Sequence, residues 1–385
     1  MDNKTAFQRL FYPDDYQFKN NYTREVLSKI NHCQTKDLGY HFYQCNNSDC
    51  SKINTQYHSC GNRHCPFCGT FKKEQWVEDR TADLLPTPYY HMVFTIPHSW
   101  NKVMMQSPRE LYTILFDAAS ETLLELGAKK EYLGATPGIT AVLHTWGQKL
   151  DYHVHLHCVV SGGGVNNGKW VTAKRSNGKF LFPRNAMNKK YKAIFLRMVR
   201  ERKHLINADN AQIDEAITQS GHKKWKVYAK APFGGPDQVI KYLGRYTHKT
   251  AITHYRIKAV ENGLVHFSYK DYRDGDKIKD TMLTEKAFLQ KFECHILPKR
   301  FVRIRHYGFL TNRGKTTRLN ELRISMNLES TPIRIEIPVA VRLLEKYGTD
   351  ITKCPHCDTG KYELLFTKRF GKTTYSKPRE IPVPA

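Results

Sequence analysis

The chain has 385 residues, with 61 Lys and Arg against 36 Asp and Glu, a formal charge of +25. Apolar residues make up 40% of it, enough for packed cores, which excludes general disorder. Its apolar runs fall far short of the roughly 18–20 residues that cross a bilayer, which excludes an integral membrane protein.

The length suits two or three domains at roughly 100–200 residues each. The positive excess calls for a polyanionic partner, nucleic acid before an acidic membrane surface, because each neutralised phosphate releases counterions. The first residues, MDNKTAFQRLFYPDDYQF, lack a basic start followed by an apolar core, so no secretory signal is expected.

In chain order, residues 1–80 read as short helices around a Cys- and His-rich core. Helices are predicted over 23–30 and 72–85, the second stopped by Pro86 and Pro88, where a domain boundary falls. Six of the ten cysteines, Cys33, Cys45, Cys50, Cys60, Cys65 and Cys68, lie in this stretch. With no secretory signal, and with the knuckles Cys-Pro-Phe-Cys and Cys-Pro-His-Cys, the pattern points to zinc thiolates in a reducing cytosol rather than to disulfides. Cys45, Cys50, Cys65 and Cys68 would supply four thiolates to one tetrahedral zinc. Cys33, His41, Cys60 and His64 raise the candidates to eight, which would suit two ions. Zinc there would supply folding free energy to a region with little apolar core. The late pair Cys354 and Cys357 reads as half a site, with Cys294 and His295 or His306 as partners.

From Tyr89 the pattern changes. YYHMVFTIP reads as a strand. Residues 108–126 form an amphipathic helix with Leu111, Ile114, Leu115, Ala118 and Leu123 on one stripe. Strands are expected near 140–144 and over 152–160, then a turn at 161–164. A basic helix over 189–206, a short strand at 225–229 and a helix over 236–249 with Pro in its first turn follow. Further strand-like segments cover 251–257 and 264–269, and the tail from Lys368 is expected to be loosely ordered. This order gives an α+β class: a largely antiparallel sheet with helices packed on it. The expected domains are 1–86, 87–255 and a basic region over 256–385.

Two features carry chemistry. Residues 152–160, YHVHLHCVV, alternate, so His153, His155 and His157 share one strand face with successive positions roughly 6–7 Å apart. Two adjacent imidazoles can bind one divalent cation, given a third ligand from a neighbouring element. Downstream, Tyr242 and Tyr246 stand at i and i+4 and project from one helix face. A metal-polarised phosphate opposite two phenols is a reaction centre; the rival readings are a solvated His face and an ordinary aromatic stripe.

The stretches HCPFCG, HTWGQ, HVHLHCVVSGGG, YLGRYTHKTAI and LPKRFVRIRHYGFL, in this order, resemble the two-tyrosine rolling-circle transposases of bacterial insertion sequences, a branch of the HUH endonuclease superfamily with an N-terminal zinc-binding domain. The resemblance runs from about Cys33 to about Arg313. It implies a central HUH nuclease domain in which His155 and His157 hold Mg²⁺ or Mn²⁺ on the scissile phosphate, with Gln148 as third ligand ahead of His248, and Asp151 and His144 nearby. It implies attack by Tyr242 or Tyr246 to form a 5′-phosphotyrosine, and nicking and rejoining of single-stranded DNA at mobile-element ends. The four-residue gap between Cys45 and Cys50 departs from the two-residue gap usual in that family.

Residues 298–318 carry seven Lys or Arg and no acid. Lys299, Arg300, Arg303, Arg305 and Arg313, interleaved with Phe301, His306, Tyr307 and Phe309, suit a single strand whose bases stack on rings. Arg245, beside the tyrosines, joins them as a DNA-binding candidate. Expected partners are mobile-element and target DNA, with a homo-oligomer and host replication or helicase factors left open, no membrane, and a cytoplasmic, nucleoid-associated location. The alternatives are a rolling-circle replication initiator, a non-catalytic zinc-ribbon nucleic-acid binder, or a metal hydrolase using His153, His155 and His157.

Overall fold

In the computed structural model the chain divides into two compact units, Met1–Cys68 with Ile333–Ala385, and Gly69–Pro332. The structure describes residues 15–68, 80–173, 180–230, 250–331, 338–357, 359–369 and 371–376, with 8, 10, 11, 13, 77, 238 and 244. The segmentation expected at residues 86 and 255 is not this division, because the last part of the chain pairs with the first.

The first unit opens with helix α1 (Asn21–Asn31), whose entry is capped by the Asn20 side chain accepting the Thr23 N–H at 2.9 Å. Val26, Leu27 and Ile30 are its buried stripe. Strands β1 (Tyr40–Cys45) and β2 (Ile53–Tyr57) then pair antiparallel.

The second unit begins with β3 (Tyr89–Thr95), α2 (Asn101–Gln106) and α3 (Pro108–Ala128). The antiparallel strands β4 (Thr136–Trp146) and β5 (Tyr152–Asn166) follow, with β6 (Lys169–Thr172) on the far end of β5. Next come α4 (Arg184–Glu201), α5 (Asn210–His222) and β7 (Val227–Lys230). A three-stranded antiparallel meander, β8 (Ile257–Glu261), β9 (Leu264–Asp271) and β10 (Lys277–Thr284), leads to α6 (Glu285–Glu293), β11 (Ile304–Gly308) and α7 (Lys315–Ser325). The main sheet runs β11-β4-β5-β3-β7, antiparallel throughout. The chain then returns to the first unit through α8 (Val339–Tyr347), β12 (Tyr362–Arg369) and β13 (Lys372–Tyr375), whose sheet runs β13-β12-β1-β2. The expected loose tail therefore carries strand in β12, to Arg369, and in β13, to Tyr375.

The main sheet has two unlike faces, and the strand period explains both. On one face Met92, Phe94, Ala141, Leu143, Leu156 and Cys158 pack into the core that α3 and α4 cover. Leu111, Ile114, Leu115, Ala118 and Leu123 of the predicted stripe are all fully buried in it. Each large apolar side chain so buried contributes roughly 1.5–3 kcal/mol. The other face carries the polar row described below.

The expected turn at 161–164 is strand. Glycine permits it: a Cβ on Gly162 would lie 2.7 Å from the Pro88 carbonyl oxygen, and one on Gly164 would lie 2.6 Å from that of Thr136. Gly163 lies under the Trp170 ring, 2.3 Å from where its Cβ would stand. Of the expected strand 251–257 only Ile257 is strand; a 3-10 turn at His254–Arg256 leads into β8. Most of the expected helices at 72–85 and 236–249 lies outside the described residues; Gly244 and residues 80–82 are helical. Among the described residues, no helix is long and apolar enough to cross a membrane.

Candidate functional site

Three neighbouring strands assemble a histidine cluster on the polar face of the main sheet. β5 supplies His155 and His157. Register sets His144 of β4 directly opposite His155, and places Val142 opposite His157. One ring nitrogen from each of His144, His155 and His157 lies within 4.8 Å of the other two. His155 Nε2 and His157 Nε2 are 3.1 Å apart. Two nitrogens at right angles around one cation, each about 2.1 Å from it, are about 3 Å apart, so the spacing fits a shared ion.

The tautomers point the same way. His155 Nδ1 lies 2.8 Å from the His153 carbonyl oxygen. A carbonyl can only accept, so this nitrogen carries the proton and the lone pair stays on Nε2. His157 Nδ1 lies 2.9 Å from His91 Nε2, with the two rings stacked at 5.1 Å. When His157 Nε2 coordinates, its Nδ1 proton is donated to His91, an orienting bond of the kind that metal-bound imidazoles use. Burial above all lowers His155 to about 4, with His153 adding to it, and drives His157 well below the ordinary imidazole value. Burial also lowers His91 to about 4. All three are neutral at pH 7, the state that binds a cation.

His144 stacks on Trp146 at 4.8 Å. The Arg303 guanidinium sits 5.0 Å from that ring, and its Nε donates to the Leu143 carbonyl at 3.1 Å. Along the same face, His306 Nδ1 meets the Thr140 hydroxyl at 3.0 Å, and Arg80 Nη1 lies 3.3 Å from His306 Nε2.

Several expected site residues stand elsewhere. The Gln148 amide donates to the Tyr272 hydroxyl at 3.0 Å, and its carbonyl oxygen accepts the Lys270 N–H at 3.5 Å, so both ends of the side chain engage the β8–β10 side of the unit. His144, not Gln148, has a ring nitrogen within 4.8 Å of those of His155 and His157 that could share an ion with them. His153 stays outside the group and leans on His98, ring to ring at 5.6 Å. Asp151 pairs with Lys291 at 2.6 Å. Tyr242, Tyr246, Arg245 and His248 lie outside the described residues.

The basic segment is also sorted. Lys299, Arg300 and Arg313 are exposed. Arg303 is 8% exposed. Arg305 packs its guanidinium 4.4 Å from Phe116 and 5.2 Å from Phe301, on the helix side of the sheet. Arg303 and Arg305 thus both make contacts within the protein, and the Arg303 charge also acts on His157.

In the first unit the expected quartet Cys45, Cys50, Cys65 and Cys68 is divided between two groups. Cys33, Cys60, Cys65 and Cys68 form one, and Cys45 and Cys50 join Cys354 and Cys357 in the other. Cys294 and His295 do not complete the late pair: Cys294 donates to Gln290 O, and His295 bonds the Thr145 hydroxyl and Leu150 O. His306 belongs to the main sheet. His41 bonds the Thr367 hydroxyl at 2.8 Å, His64 accepts from Arg63 Nε at 3.4 Å, and neither joins a sulfur group.

The first group fits zinc. Cys60 and Cys68 sulfurs lie 3.5 Å apart, against about 3.8 Å between ligands around tetrahedral zinc at about 2.3 Å. Main-chain N–H groups of Cys60, Asn62 and Phe67 point at the sulfurs of Cys33, Cys60 and Cys65, at 3.4 to 3.5 Å, as thiolates require.

Two family models match the chain. One, described as "Putative transposase", covers residues 138–317, and one described as "Transposase zinc-binding domain" covers residues 7–96. The "Putative transposase y4qJ" of Sinorhizobium fredii is 36% identical over 354 residues, 88% of this chain and 87% of that protein. The chain belongs to this transposase family. The "Transposase for insertion sequence element IS801" of Pseudomonas savastanoi pv. phaseolicola is 28% identical over 306 residues, 75% of this chain and 70% of that protein. No solved structure matches the chain. The zinc-binding match includes all of Cys33, Cys60, Cys65 and Cys68, so the transposase carries a zinc-binding module at its N-terminus. The match over 138–317 includes all but the first two residues of β4, all of β5, and the tyrosine pair.

The residues that sequence reasoning missed are His91 and the role of His144. Alternation in YYHMVFT sets His91 on the face opposite Tyr90, Met92 and Phe94, which was a readable signal. Its contact with His157 depends on the β3–β5 register.

Proposed function

We propose that this transposase is a metal-dependent strand transferase of the HUH type. It binds single-stranded DNA at the ends of a mobile element, nicks it, and rejoins it through a 5′-phosphotyrosine. The observation that carries the reading is the trio of converging imidazoles on one sheet face, within a chain of this family.

In this reading His144, His155 and His157 hold Mn²⁺ or Mg²⁺. An ion held there would supply polarisation of a non-bridging phosphate oxygen and offset charge developing on it. Tyr242 or Tyr246 loses its phenolic proton and its oxygen attacks phosphorus. The bond from phosphorus to the 3′-oxygen breaks, and that oxygen leaves as a 3′-hydroxyl after taking up a proton. A later 3′-hydroxyl reverses the step and frees the tyrosine. Two tyrosines allow one to hold a strand while the other cuts a second. The net charge of +25 draws the strand in, with Lys299 and Arg300 among its exposed contacts.

The test is an adduct assay with a labelled single-stranded oligonucleotide of the element's end, followed by denaturation. A protein–DNA band that needs the divalent ion, is abolished by chelator and is absent from Tyr242→Phe/Tyr246→Phe supports the reading. Cleavage without an adduct would mean a hydrolase, and binding without cleavage a non-catalytic binder.

A further inference from the structure

Cys45 closes β1, Cys50 lies in the turn after it, and Cys354 and Cys357 bracket the turn that precedes β12. We infer that these four cysteines, drawn from opposite ends of the chain, bind a second Zn²⁺ that clasps the C-terminal strands to the N-terminal ones. The transposase zinc-binding match ends at residue 96 and so holds only half of this set.

The geometry is that of a closed tetrathiolate site. Cys45 and Cys357 sulfurs are 3.6 Å apart, Cys50 and Cys354 sulfurs are 3.8 Å apart, and all four lie within 4.8 Å of one another. Ligands at about 2.3 Å from tetrahedral zinc stand about 3.8 Å apart. Two disulfides would need about 2.05 Å within each pair. Cys45 and Cys354 are each 4% exposed.

The backbone is built around the sulfurs. A Cβ on Gly360 would stand 2.2 Å from the Cys45 sulfur and 2.8 Å from that of Cys357, so only glycine fits there. Cys354 N–H donates to Gly360 O at 2.9 Å, closing the knuckle turn. Two more bonds cross between the chain ends: Asn46 N–H to Lys361 O at 3.0 Å and Lys361 N–H to the Asn46 side chain at 2.9 Å.

The sheet needs such a clasp. β2 and β13 bury no residue. Across the antiparallel β1–β12 pair, Phe42 stacks on Phe366 with rings 4.8 Å apart. Where apolar cover is thin, metal binding is folding free energy.

The experiment measures zinc in the purified full chain by plasma mass spectrometry. Two zinc ions per chain are expected, falling to one in Cys354→Ser/Cys357→Ser. One ion in the unaltered chain, or two in the variant, overturns the inference. As a readout that does not depend on the variant folding, cadmium-substituted unaltered protein is also read by ¹¹³Cd NMR. Two tetrathiolate signals are expected; a single one overturns it, as does a non-reduced mass showing these cysteines in disulfides.

Discussion

In the proposed metal site one ring nitrogen of His157 faces the cation and the other faces His91. His91 is therefore a positioning residue, and its loss should act through orientation. His91→Ala should weaken Mn²⁺ binding about 10–100-fold by calorimetry, with His91→Asn recovering part of it; equal melting temperatures for the two variants would separate positioning from packing. His144→Ala should abolish tight Mn²⁺ binding, while Gln148→Ala leaves it unchanged; the reverse result would restore the ligand set expected from sequence. Three imidazoles also disfavour Mg²⁺, which prefers oxygen ligands, so Mn²⁺ should give the stronger adduct. The His155–His157 pair was legible because the strand period is intrinsic to a chain segment. His144 and His91 were not, since a residue on a neighbouring strand is placed by register. Burial sets Arg303 apart from the exposed Lys299 and Arg300. Arg303→Ala should cost about 1.5–3 kcal/mol by thermal unfolding, as a charged donor to Leu143 O is lost. Lys299→Ala/Arg300→Ala should leave stability within about 0.5 kcal/mol, and should reduce the salt slope of single-strand binding by about 1.4 if both neutralise phosphates.

At the scale of elements, the long central strand depends on its glycines. Gly164→Ala sets a Cβ 2.6 Å from a main-chain oxygen that cannot rotate away. It should destabilise the second unit by about 1–3 kcal/mol, read as a fall in its melting transition. The three glycines suggest a turn when met in sequence, because the same lack of a side chain serves tight turns and close packing. The helix α3 was readable almost to its ends: Pro108 stands at its first turn, and its stripe has the helical period. α5 was overlooked, though the Asp209 side chain caps it by accepting the Ala211 N–H at 2.9 Å. Its stripe is short, with Ile213 and Ala216 its buried apolar residues.

At the scale of the whole molecule, the first unit is made from both ends of the chain. A fragment of residues 1–86 should therefore lack the four-stranded sheet by circular dichroism, and supplying residues 333–385 should restore it; a fragment that folds alone would refute this dependence. The sequence by itself determined the α+β class, the apolar stripes, the histidine row and the presence of thiolate knuckles. These follow from local period and spacing, which a short segment carries within itself. Only the tertiary structure decided which cysteines gather together, which third histidine stands beside His155 and His157, and that Arg303 is buried. Those outcomes turn on strand register and on contacts between residues 45 and 357, or 91 and 157, whose proximity no local pattern encodes.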